Sequence, residues 1–129
     1  MPLEHLWATW RSAYVGQVVD SRTLPTPEDA QGRLVEALQI VERLRSRTGT
    51  AYYVSAFADL AARRGELELA VRLFAAAGGS VPVFARDRER TLVQARELHG
   101  EAAVAELERA GRELGLEAAA GEALAWAKR

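Results

Sequence analysis

A chain of 129 residues is one ordinary domain, long enough to bury about two thirds of its unfolded surface, and its 49% hydrophobic content excludes disorder. A formal net charge of −1 argues against direct nucleic-acid binding, because phosphate neutralisation calls for a basic excess or stripe. The absence of cysteine excludes disulfides, thiol nucleophiles and cysteine-ligated zinc. No apolar run approaches the roughly 20 residues that a bilayer span needs. The opening MPLEHLWATWR lacks the pattern of a secretion signal, so a cytoplasmic location without a membrane partner is expected.

Nearly everything between the glycines and prolines has a helical period, and strand-like alternation is absent. A first helix is predicted over Leu3 to Val19, with Leu3, Leu6, Trp7, Trp10, Tyr14 and Val18 on one apolar stripe. Its aromatics are expected in the core, with a lid docked on another subunit as the alternative. A second helix starts behind Thr26 as cap and Pro27 at the first position, with Glu28 and Asp29 at the positive dipole end. It buries Leu34, Ala37, Leu38, Val41 and Leu44 and is expected to stop at Gly49.

A third helix runs from Ala51 to Arg64 and is apolar over most of its circumference. Gly65 closes it, and a fourth helix from Glu66 to Ala77 must return along it because the loop is so short. The fourth helix has two apolar faces, Leu67, Ala70, Val71 and Phe74 on one side and Leu69 and Leu73 on another, so two partners are expected. Gly78 and Gly79 end it. Further helices are predicted over Val83 to Leu98, Glu101 to Glu113 and Leu116 to Ala127, separated by Gly100 and Gly115. No linker divides residues 1–129, so the expectation is a single helical-repeat domain.

The segment Ala51 to Phe84 resembles one tetratricopeptide repeat of 34 residues. Gly65 takes the turn glycine, Ala58 and Ala70 the small residues at the helix crossing, Phe74 the aromatic, Ala77 the next small position and Pro82 the closing proline. The resemblance implies an all-α, tetratricopeptide-like right-handed stack of about seven antiparallel helices. From Ala51 to Ala127 the order of helices, with AARRGELELAVRLFAAA and ARELHGEAAVAELERAGRELGLEAAAGEALA, resembles the C-terminal helical region of actinobacterial LuxR/AfsR-type signalling regulators. That likeness implies an interaction or sensor region in bacterial transcriptional or signalling regulation. It carries neither the nucleotide-binding nor the DNA-binding parts of those regulators. LEHLWATWRSAYV is similar to the lead-in of some histidine-triad hydrolases, but only His5 and His99 are present and the catalytic histidine cluster is missing.

Catalytic chemistry is not expected. His99 ends a helix, where it complements the dipole. Glu66, Glu68, Glu106, Glu108 and Glu113 lie among arginines at pairing distance along helices rather than in a like-charge cluster. No metal or cofactor site is expected. The sequence reading is a scaffold for a protein or peptide partner, with a small-molecule sensor holding an inter-helix pocket, or a structural module that forms a homo-oligomer, as alternatives.

In tetratricopeptide proteins the first helix of each hairpin lines the ligand groove, which maps onto Tyr52, Ser55, Asp59 and Arg63. These recur at three- and four-residue spacing and share a helical face. Arg86 and Arg90 of the next helix would stand beside them, making a groove suited to an acidic peptide. The plainer alternative is the solvent side of a packed helix.

Overall fold

The computed structural model describes residues 27–79 and 81–129, with side chains from Gln31 onward. The expected helix over Leu3 to Val19, with its aromatic stripe and His5, lies outside the described residues, as does the Thr26 cap. Among the described residues there are six α-helices and no strand: α1 (Pro27–Arg43), α2 (Arg47–Arg63), α3 (Leu67–Ala77), α4 (Ala85–His99), α5 (Glu101–Leu114) and α6 (Leu116–Ala127). A 3₁₀ turn, Pro82–Phe84, leads into α4.

The boundary between α1 and α2 differs from the sequence expectation. Helix α1 ends at Arg43 rather than at Gly49, in a double-bonded C-terminal turn. Arg45 donates to the Glu42 carbonyl and Ser46 to the Val41 carbonyl, each at 3.0 Å, with Arg45 at φ +54° where glycine is usual. Ser46 then caps α2, its hydroxyl accepting from the Gly49 amide at 3.0 Å. Gly49 is therefore helical. A Cβ there would lie 2.8 Å from Val41 Cγ1, so its small size serves close packing of α2 on α1 instead of a turn.

The α2–α3 turn repeats the same hydrogen-bond motif as expected. Glu66 donates to the Ala61 carbonyl at 2.9 Å and Gly65 to the Ala62 carbonyl at 3.1 Å, with Gly65 at φ +83°. That backbone conformation crowds any Cβ, so glycine suits it. Three connecting residues bring α3 back along α2, and Ala58, Ala70 and Phe74 are all buried where the two helices meet.

Helix α2 is buried continuously from Gly49 to Ala61 because neighbours cover every side of it. Helices α1, α3, α4 and α6 all pack against it. The main core joins Leu34 and Leu38 of α1, Tyr53, Phe57 and Leu60 of α2, Leu69, Leu73 and Phe74 of α3, Phe84, and Trp126 of α6. A smaller cluster joins Val71 to Leu92, Ala95 and Val104. Helix α3 meets two sets of partners, but not along the division expected: Leu69, Ala70, Leu73 and Phe74 all join the main core, and Val71 joins the second cluster.

Helix α6 returns to the start of the described chain. Trp126 meets Phe57 edge-on at 6.5 Å, and the Arg64 guanidinium lies 5.6 Å from its ring centre. Gln31 Nε2 donates to the Ala127 carbonyl at 2.6 Å. Repeats in an extended array touch only their neighbours. Here α6 packs more extensively on α2 and α3 than on α5, which precedes it.

Candidate functional site

The face of α2 that carries Tyr52, Ser55, Asp59 and Arg63 points at the start of α4 and is not an open groove. Tyr52, Ser55 and Asp59 are only 3%, 2% and 2% exposed. The Pro82–Phe84 turn covers its N-terminal half, with the Phe84 ring edge-on to Tyr52 at 5.4 Å. Ser55 Oγ donates to the Ala51 carbonyl at 2.9 Å, closing a bond within its own helix. The polar residues along this face mark a buried seam because α4 crosses it, which periodicity within α2 cannot reveal.

Asp87 is the residue that the sequence reading missed. It stands between Arg86 and Arg88, yet it is buried at 1% exposure and faces the end of α2. Arg63 Nε donates to Asp59 Oδ2 at 3.2 Å, and another Arg63 nitrogen stands 3.8 Å from Asp87 Oδ1. Arg90 also donates to Asp87. Two buried carboxylates and two guanidinium groups therefore join α2 to α4. Their attraction offsets the cost of taking the carboxylates out of water. Nothing in the sequence pairs position 87 with position 63; only the packing of α4 does.

Arg63, Arg86 and Arg90 stand on the outer edge of this seam, Arg90 with its side chain 53% exposed and Arg63 with 24%. Arg86 is exposed. Three guanidinium groups thus stand along this edge, above the two buried carboxylates and beside the exposed Glu89.

Two cavities open beside these elements. One, of about 400 Å³, lies at the start of α2 between Glu42, Arg45, Arg47, Thr50, Leu116 and Glu117. Acidic and basic side chains alternate around it, so it offers no uniform potential. The other, of about 240 Å³, lies between α2, α3 and the start of α4, and is lined by Ser55, Phe74, Val81, Phe84, Arg88 and Glu89 among others.

Of the carboxylates expected to pair along helices, Glu106 and Glu113 do so, while Glu68 and Glu108 instead lie 3.9 Å from His99 and Arg88 of a neighbouring helix. Arg109 bonds to Glu106 and, at 2.5 Å, to Glu113, which holds the Glu106 carboxyl below its ordinary range. His99 Nε2 stands 3.9 Å from Glu68 at the exposed end of α4. Among the described residues no group of three or more histidines and carboxylates is placed to hold a metal ion, and no helix is long and apolar enough to cross a membrane.

Neither protein-family models nor curated proteins nor solved structures give a match to this chain.

Proposed function

We propose that this chain is a helical scaffold that binds a protein or peptide, acting in bacterial transcriptional or signalling regulation, with an acidic segment of the partner as its ligand. The observation that carries the reading is the row of guanidinium groups of Arg63, Arg86 and Arg90 beside the α2–α3 hairpin. Long exposed guanidinium groups give bidentate recognition of carboxylates, and the buried Asp59 and Asp87 hold two of the three in place from below. The hairpin itself supports a tetratricopeptide-like repeat over 51–84. Gly65 has the positive φ of the repeat's turn, Ala58 and Ala70 are buried at the crossing, and Phe74 is buried beside them. The tie to regulators of the LuxR/AfsR type rests on the pattern of the sequence. The peptide surface in this reading is the rim formed by α4, because Tyr52, Ser55 and Asp59 lie beneath it.

The test is fluorescence anisotropy with labelled peptides, one rich in Asp and Glu around an aromatic residue and one with the acids replaced by amides. The acidic peptide should bind and the amide peptide should not. Arg86→Glu and Arg90→Glu should each weaken binding about tenfold or more, the loss expected for a charge-assisted hydrogen bond. Equal affinity for both peptides, or no effect of either substitution, would leave the rim as ordinary surface.

A further inference from the structure

We infer that the cavity between α2, α3 and the start of α4 is a binding site for a small carboxylate with an apolar body. Its volume of about 240 Å³ lies below the roughly 300 Å³ at which pockets for drug-sized ligands begin, so the ligand is a small aromatic or branched aliphatic acid. Phe74, Val81 and Phe84 form apolar walls. Ser55 lies at the wall with its hydroxyl proton given to the Ala51 carbonyl, so toward a ligand it can only accept.

Arg88 decides the polarity of the ligand. Its guanidinium lies against Gly79, where a Cβ would stand 2.9 Å from one terminal nitrogen, so the glycine makes room for it. Its Nε is buried and has no hydrogen-bond partner. Another terminal nitrogen is 3.9 Å from the Glu108 carboxylate, beyond hydrogen-bond reach. The side chain is 38% exposed, so its terminal nitrogens, rather than the enclosed Nε, are open to a ligand in the cavity. A carboxylate set against those terminal nitrogens pairs with the cation through charge-assisted hydrogen bonds. Among the described lining residues Glu89 is the acidic one, and it lies at the exposed rim, its carboxylate reaching along α4 to 4.0 Å from Arg96. The site needs nothing from the peptide rim, and the two fail separately.

Benzoate is the probe, followed through amide shifts in nuclear magnetic resonance, with benzamide and acetate as controls. Benzoate should shift Gly79, Phe84 and Ala85, while the neutral amide and the anion without a ring should bind about tenfold more weakly or less. Arg88→Met keeps the aliphatic stem and removes the fork, and should weaken benzoate about tenfold or more. Ala85→Leu fills the cavity mouth from an exposed position and should do the same even if the arginine variant does not fold. No benzoate shifts at millimolar concentration, equal binding of benzamide, or unchanged affinity in a folded Arg88→Met protein would each overturn the assignment.

Discussion

Tyr53 is fully enclosed in α2, and its hydroxyl has no hydrogen-bond partner. A buried hydroxyl left unpaired costs about 1–3 kcal/mol. Tyr53→Phe keeps the ring and removes only that group, so it should raise stability by about 1 kcal/mol in urea denaturation. Burial also pushes the Tyr53 phenol up, because the enclosed site disfavours the phenolate. The raised value means that its contribution holds below the ordinary tyrosine range and is lost as pH climbs through and above that range. Alkaline titration followed by tyrosinate absorbance should therefore show one tyrosine ionising only as the fold opens, and Tyr53→Phe should abolish that step. A less stable phenylalanine variant would mean that the hydroxyl is bonded.

Two helical glycines of opposite surroundings make a second residue-scale test. At Gly111 a Cβ would run into the Arg72 carbonyl oxygen and stand 2.9 Å from the Ala75 Cβ, so the gap between α5 and α3 has no room for a methyl group. At Gly121 nothing lies within 4 Å. Gly111→Ala should cost about 1–3 kcal/mol through overpacking, while Gly121→Ala should gain roughly 0.5–1 kcal/mol from helix propensity. Equal shifts of the urea midpoint in the two variants would contradict the close approach of α5 to α3.

Among the elements, the α2–α3 hairpin is the unit whose geometry depends most on single residues. Gly65→Val forces a branched side chain into a positive-φ turn and should cost about 1–2 kcal/mol. Phe74 is buried at the helix crossing, and Phe74→Ala should cost roughly 3–5 kcal/mol by leaving a cavity there. The contrast in size separates turn strain from core packing, and thermal unfolding of the two variants measures both. A valine variant as stable as the parent would rule out the left-handed turn. The next element, α4, is held to this hairpin by charge as well as by apolar contact, through Arg63 between Asp59 and Asp87.

On the scale of the whole molecule, α6 ties the last described segment to the first. Trp126 packs on Phe57 and beneath Arg64, and the α6 backbone accepts from Gln31 of α1. A chain closed in this way should unfold in one transition, because loss of α6 exposes the central helix. Trp126→Ala should lower stability by about 3–5 kcal/mol and keep the unfolding cooperative when followed by circular dichroism. Independent melting of residues near the C-terminus, with the hairpin still folded, would favour an array of separable repeats instead.

Helix content, the three glycine-closed turns at Gly65, Gly100 and Gly115, and the burial of Phe74 were legible in the sequence, because each follows from local spacing and backbone preference. The α1–α2 boundary was misread for a local reason too: Arg45 takes the left-handed position that was assigned to a glycine, and the Ser46 cap draws Gly49 into the helix. The nature of the Tyr52, Ser55, Asp59 and Arg63 face lay beyond the sequence. Helical period places those four on one side of α2, but whether that side meets water or another helix depends on where α4 crosses. The same holds for Asp87 and Arg88, which local pattern assigns to a solvated charge run. Their partners stand 24 residues back at Arg63, 9 back at Gly79 and 20 onward at Glu108, and only tertiary packing brings such distant groups within reach.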